Sequence, residues 1–216
     1  MSSKSQEFQE QKWEPDESKN LVFYSRYKKD GSYGLTNMAP GFPLKVNDIV
    51  LRTSEALYQA MKFPDLKEAQ MDIIGQRYAG KAIERSRYYE SLNNKRTDWD
   101  EIKVDVMRWC LHVKLAQNWE KFSALLFRTG ELTLIEGSPD DRFWGAIKYD
   151  KKQKTREGVN MLGRLLMELR QEIGEDLKKD GPGNSLLIVN PPAITNFRLN
   201  DRMIETIDAG AKNGGH

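Results

Sequence analysis

The stretch Pro43-Leu44-Lys45-Val46-Asn47-Asp48-Ile49-Val50-Leu51-Arg52-Thr53-Ser54-Glu55-Ala56-Leu57-Tyr58-Gln59-Ala60-Met61-Lys62-Phe63 decides the fold. Its first ten residues read as two short strands around Asn47-Asp48, a pair that tolerates positive φ, so they form a hairpin. Thr53 or Ser54 then caps a helix that runs to about Phe63, because Pro64 disfavours helical geometry in the residue before it. A hairpin thus feeds directly into a helix, which points to a mainly helical α+β domain with a few short strands and not to an alternating βαβ architecture.

On that helix the wheel places Glu55, Tyr58, Gln59 and Lys62 within about 60° of one another and the apolar residues on the other side. A carboxylate at a helix N-terminus is favoured as the anion by the macrodipole, which suits a group that steadies developing positive charge or activates a nucleophile. The same stripe also reads as a cap carboxylate on a solvated face, and the pattern alone leaves both readings open.

Working outward, helices are expected over about 66–74 and 81–91, with a turn at Asn93-Asn94. The strongest helical periodicity covers 98–117, where Trp99, Ile102, Val106, Trp109, Cys110 and Val113 fall at offsets 0, 3, 7, 10, 11 and 14. Another helix covers 119–129, ending at Gly130, and a last one 160–173 with Leu162, Leu165, Leu166 and Leu169 on one side. Short strands are expected at 21–25 and 132–135, and 31–41 is loop. Residues 1–20 are polar and read as a loosely held arm, 21–173 as the domain, and 174–216 as a linker and C-terminal extension with an apolar Leu186-Leu187-Ile188-Val189 strand.

Composition narrows the chemistry. The 216 residues suffice for a single core, and 34 basic against 32 acidic side chains leave a net charge of +2, no global field to attract nucleic acid. Any such partner must be recognised by a local patch. One cysteine, Cys110, excludes a disulfide framework within the chain, and two histidines, His112 and His216, argue against Ser-His, Cys-His or zinc chemistry. No metal and no cofactor are expected. With no signal-like segment and no apolar run of membrane-spanning length, a cytoplasmic protein with no membrane partner is expected. Catalysis must then rest on carboxylates, lysines and amides.

Three further segments invite function. Ser138-Pro139-Asp140-Asp141-Arg142-Phe143-Trp144-Gly145 follows a strand; there Trp144 reads either as a stacking platform for a base or as a core plug, and Gly145 as a point of close backbone approach. Gly158-Val159-Asn160-Met161-Leu162-Gly163 opens the last helix, with Asn160 as a cap and N–H groups able to receive a phosphate. Lys148, Lys151, Lys152, Lys154 and Arg156 form a short basic run that could meet a polyphosphate or simply be a solvated loop.

These segments, in this order, resemble the NADAR family of riboflavin-intermediate N-glycosidases, linked to NAD and ADP-ribose metabolism. The resemblance covers about 21–173. It is carried by Phe23-Tyr24-Ser25, Gly34-Leu35-Thr36-Asn37-Met38, the block from Thr53 to Phe63, Lys114, Thr129-Gly130, Leu134-Ile135-Glu136, Asp141-Arg142-Phe143-Trp144-Gly145, and Gly158 to Gly163 with Leu166-Met167-Glu168-Leu169-Arg170. Thr36, Met38 and Ala56 stand where the family pattern usually has Ser, an aromatic and His.

The resemblance implies cleavage of a bond between a ribose C1 and a base nitrogen. Glu55, Lys62 and Asp141 would be catalytic, with Lys62 or its rival Lys114 attacking C1 and carrying the opened sugar as an imine. Tyr24, Asn37, Tyr58, Gln59, Lys114, Trp144, Gly145 and Asn160 would contact substrate. It further implies removal of ADP-ribose from guanine bases of nucleic acid, an antitoxin-like role beside an ADP-ribosyltransferase toxin. The alternatives are hydrolysis of early riboflavin-pathway ribosylaminopyrimidine phosphates and a non-catalytic ADP-ribose or NAD-binding module.

Overall fold

The computed structural model describes residues 8–25, 31–148, 154–178 and 185–211. The elements run, in chain order, β1 (Gln11–Trp13), β2 (Asn20–Phe23), a 3-10 turn (Tyr33–Leu35), β3 (Leu44–Val46), β4 (Ile49–Leu51), α1 (Ser54–Ala60), α2 (Lys67–Gly75), α3 (Ala79–Ser91), α4 (Trp99–Gln117), α5 (Trp119–Phe127), β5 (Thr133–Glu136), β6 (Ile147–Lys148), β7 (Arg156–Gly158), α6 (Met161–Asp176), β8 (Ile188–Val189), β9 (Arg198–Leu199), β10 (Arg202–Met203) and β11 (Ile207–Asp208). This is the mainly helical α+β chain with short strands that the sequence leads one to expect. The chain groups into two compact units: Met1–Thr36 with Leu125–Gln171, and Asn37–Ala124 with Glu172–His216.

In the first unit β2 pairs in parallel with β5, Leu21 opposite Leu134 and Val22 opposite Ile135. A separate three-stranded sheet has the order β1-β7-β6. Its edge strand corrects the reading of 1–20 as a loose arm: Gln11–Trp13 lies antiparallel to β7, and the Trp13 indole N–H donates to the Gly158 carbonyl (3.4 Å). Residues 1–7 lie outside the described ones. Asn160 binds strand and helix together, its side chain accepting from the Glu136 N–H (2.9 Å) and donating to the Leu134 carbonyl (2.8 Å).

The second unit holds the stretch from Pro43 to Phe63. Asn47 and Asp48 take φ of 48° and 64°, and β3 and β4 pair antiparallel around them. Thr53 caps α1, its hydroxyl accepting from the Ala56 N–H (3.2 Å). The helix then departs from expectation, because all seven of its residues are buried. Leu57, Met61 and Phe63 are fully enclosed, each worth roughly 2 kcal/mol of burial. The polar stripe is therefore an interior face, and the reading of Glu55, Tyr58, Gln59 and Lys62 as a solvated surface is set aside.

The C-terminal extension is folded onto this unit. β8 pairs with β11, and β9 with β10, whose turn residues Asn200 and Asp201 have φ of 54° and 60°. Phe197 meets Trp109 of α4 edge to face at 4.9 Å, and Gln70 of α2 both donates to the Arg198 carbonyl (3.0 Å) and accepts from the Asn200 N–H (2.9 Å). Phe197 and Leu199 are buried, so these residues add to the core instead of trailing from it. The 179–184 part of the expected linker lies outside the described residues. Among the described residues no helix is long and apolar enough to cross a membrane.

Candidate active site

The residues singled out in the sequence divide between the two units, and each group is described within its own. In the second unit Asn37 braces the start of α1. Its backbone carbonyl accepts from the Glu55 N–H (3.0 Å), its side-chain oxygen from the Ser54 hydroxyl (3.1 Å), and its amide nitrogen lies 2.8 Å from the Met107 sulfur. Asn37 was expected to contact substrate; its side chain is engaged inside the protein and positions Glu55 instead.

Glu55 is only 9% exposed, and one of its oxygens accepts from the Gln59 side-chain amide (2.7 Å), one turn on. The carbonyl oxygen of Gln59 is buried with no hydrogen-bond partner among the described residues. An unpaired buried acceptor costs about 1–3 kcal/mol, so a donor group arriving beside Glu55 recovers that cost. Tyr58 is buried with its ring 5.0 Å from that of Trp99. It contributes a wall.

The two lysines differ sharply. Lys62 Nζ lies 2.7 Å from Glu90 Oε1 and 5.6 Å from the centre of the Trp99 ring, and Ser86 donates to the same carboxylate oxygen (3.0 Å). Burial works against the charge on Glu90, yet Lys62 and Ser86 outweigh it and hold the carboxyl below its ordinary value. Lys62 thus sits in a defined pair with Glu90. Lys114 is 1% exposed, its Nζ 4.2 Å from the Phe122 ring centre and 4.6 Å from that of Phe42. Removal from water lowers its pKa to about 7.

Cys110 lies beside Glu55 on the α4 side. Burial pushes the Cys110 thiol well up and the Glu55 charge adds to the shift, so Glu55 lies close to this face of α4. Cys110 and Lys114 are four residues apart and share that face. Periodicity marked Trp99 and Cys110 as core; no local signal tied Glu90 to Lys62, twenty-eight residues away, or Phe42 and Phe122 to Lys114.

In the first unit the loop residues serve the loop. One oxygen of Asp141 accepts from the backbone N–H groups of Phe143 (2.9 Å) and Trp144 (2.8 Å), while the Asp141 N–H donates to the Ser138 hydroxyl (2.9 Å). Asp141 is exposed and shapes the turn that carries Trp144, whose ring meets Phe143 edge to face at 5.0 Å. Gly145 is buried, and a Cβ there would lie 2.8 Å from the Glu136 carbonyl oxygen. The passing strand by itself requires glycine there.

The expected phosphate cradle is occupied. The N–H groups of Val159, Asn160, Met161 and Leu162 donate to the carbonyls of Arg142, Gly145, Phe143 and Trp144 at 2.7–3.2 Å. Asn160, with φ of 55° and its side chain tied to β5, therefore acts as a lock and not as a substrate contact. Arg156, expected in a basic loop, is buried, donating to the Tyr24 hydroxyl (2.6 Å) and the Ala146 carbonyl (3.1 Å), so Tyr24 is likewise part of an internal pair. Lys151 and Lys152 lie outside the described residues. Among the described residues no group of three or more His, Cys, Asp or Glu side chains is placed to hold a metal ion.

Comparison with known proteins places this arrangement in context. The NADAR domain model matches residues 13–174. A riboflavin biosynthesis protein of Vibrio vulnificus (strain YJ016) is 35% identical over 150 residues, covering 69% of this chain and 38% of that protein. The chloroplastic riboflavin biosynthesis protein PYRR of Zea mays is 32% identical over 170 residues, covering 74% and 26%. The chain thus spans well under half the length of these two relatives. The N-glycosidase YbiA of Escherichia coli (strain K12) is 32% identical over 147 residues, covering 68% of this chain and 86% of that protein. The NMR structure of the E. coli protein YbiA superposes with a TM-score of 0.61 at 28% identity, over 76% of this chain and 90% of that one.

Proposed function

The chain belongs to the NADAR domain family, and from that membership we propose that it is an N-glycosidase, a hydrolase that cleaves a bond between a ribose C1 and a base nitrogen. The observation that carries the reading is Glu55, a carboxylate 9% exposed at the first turn of α1 and steadied by Gln59, in a chain similar to a protein named N-glycosidase. As the C1–N bond lengthens, its electron pair leaves with the base and the sugar gains oxocarbenium character. A fixed anion in a dry surrounding stabilises that charge strongly. The open acceptor on Gln59 suits a ribose hydroxyl or a base N–H.

Of the two lysines, Lys114 has the protonation state for attack, because an amine with a pKa of about 7 is substantially neutral at physiological pH. Its nitrogen bonds to C1, the base departs with the C1–N pair and takes up a proton, and the amine loses one. Opening of the ring oxygen then leaves an imine. Water adds to this imine and releases the sugar with the free lysine. Lys62, paired with Glu90, serves as a fixed positive charge; this reverses the order in which the sequence ranked them.

The substrate we favour is ADP-ribose attached to a guanine of nucleic acid, with the protein reversing that modification. The second reading, early riboflavin-pathway ribosylaminopyrimidine phosphates, is favoured by the names of the Vibrio and maize relatives. Incubating the protein with ADP-ribosylated guanine DNA and, separately, with the pyrimidine intermediates tests both. Release of ADP-ribose that Glu55→Gln abolishes supports the first. Turnover of the pyrimidine alone moves the second ahead, and turnover untouched by Glu55→Gln rejects the mechanism. Borohydride trapping followed by peptide mapping is expected to label Lys114; a label on Lys62 restores the other assignment.

A further inference from the structure

The second unit carries a surface that the reaction above does not use. Between Gln76 and Arg96 the chain has six basic residues, Arg77, Lys81, Arg85, Arg87, Lys95 and Arg96, against two acidic ones, Glu84 and Glu90. The whole chain is only +2, so the basic excess is concentrated here and the remainder is net acidic.

Along α3 and its caps, Tyr78, Lys81, Arg85, Tyr88 and Leu92 sit at offsets 0, 3, 7, 10 and 14, which puts them on one ridge about 80° wide. Tyr78 is 61% exposed and Tyr88 49%, and they are ten residues, about 15 Å, apart along the axis.

Each exposed ring has a guanidinium beside it. The Arg77 guanidinium carbon lies 5.4 Å from the Tyr78 ring centre, and that of Arg85 4.7 Å from Tyr88. Arg85 is fixed there by Asp72 at 2.6 Å. Tyr88 packs edge to face on Tyr89 at 5.2 Å, and Tyr89 in turn on the buried Phe63 at 5.9 Å, so this platform is anchored in the core. Arg77 has no carboxylate within ion-pair distance among the described residues, which leaves its charge available to a partner, and Lys81 shares its charge with the exposed Glu84 at 2.6 Å. Glu90, on the other side of the same helix, holds Lys62.

From this geometry we infer that the α3 ridge binds a single strand of nucleic acid, its bases stacking on Tyr78 and Tyr88 and its phosphates meeting Arg77 and Lys81. Aromatic platforms interleaved with cations on a locally basic face are what sequence-tolerant strand binding requires, because every base has a π-face and every nucleotide a phosphate. An acidic peptide would use the charges and leave both rings idle. The inference deepens the reading of the substrate as a modified nucleic acid and rests on it for its biological sense, while the strand binding itself is separable from turnover.

The test measures anisotropy of a fluorescein-labelled, unmodified oligothymidylate with the full chain, and in parallel turnover of a mononucleoside-sized ADP-ribosylated guanosine. Tyr88→Ala and Tyr78→Ala are each expected to weaken strand binding about tenfold, and the double variant Arg77→Ala with Lys81→Ala to lower the slope of log affinity against log salt by about one for each phosphate left unneutralised. Turnover of the small substrate stays within about twofold of the parent, which also shows that the variants fold. Strand binding unchanged in all three variants overturns the inference. So does equal competition by polyglutamate at matched charge, which would reduce the ridge to a charge-only surface. If the parent cleaves no N-glycoside yet the ridge variants still lose the strand, the surface stands and the enzymatic reading falls.

Discussion

Glu55 and Asp141 are both acidic residues near the start of a turn or helix, and their surroundings put them to opposite uses. Asp141 is exposed and spends an oxygen on two backbone N–H groups, making it a brace for the loop that carries Trp144. Glu55 is buried and meets the side chain of Gln59, in the same unit as Lys114, whose amine burial has pulled down to about 7. An anion satisfied by backbone donors is structural. One held in a dry setting beside a side-chain amide has charge to offer a reacting sugar.

The sharpest way to break this contrast is to neutralise each carboxylate without changing its size. Glu55→Gln is expected to lower kcat about 10³-fold with thermal unfolding close to the parent, whereas Asp141→Asn, which keeps an acceptor oxygen, leaves kcat within a fewfold. Equal losses would make Asp141 a catalytic residue after all. Next in size, Lys114→Met is expected to lower kcat on the order of 10²-fold and to abolish borohydride trapping.

Gly145→Ala sharpens the contrast from the structural side. A Cβ 2.8 Å from the Glu136 carbonyl forces strand and loop apart, at a cost of about 2 kcal/mol in urea unfolding. Asp141→Ala, which removes the acceptor of two loop N–H groups, should cost about 1 kcal/mol by the same measurement. The last expected effect is on pH dependence. Lys114 has a folded pKa of about 7 against an ordinary 10.5, so between those values the unfolded chain binds more protons. Stability therefore rises with pH across that window in the parent, and the rise is smaller in Lys114→Met.

Much of the fold was legible because it is written in local chemistry. Positive φ at Asn47 and Asp48, the Thr53 cap and the long apolar period from Trp99 to Val113 are short-range signals, and each element formed where expected. The terminal segments were not legible in the same way. Gln11–Trp13 becomes a strand only because β7 offers it an edge, and Phe197 becomes core only because Trp109 faces it. Neither partner is near in sequence.

The sequence by itself determined that the chain is α+β and that Glu55 and Gln59 share one helical face, whereas Lys62 falls past the end of α1 at Ala60. Spacing along a single helix is enough to place that pair. Only the tertiary structure decided what each group is free to do. It buried the face, tied Lys62 to Glu90, lowered Lys114 by taking it out of water, and spent Asn160, Asp141 and Arg156 on holding the chain together. Protonation and hydrogen-bond capacity depend on which distant residues arrive at a side chain, and that is a property of packing rather than of sequence order.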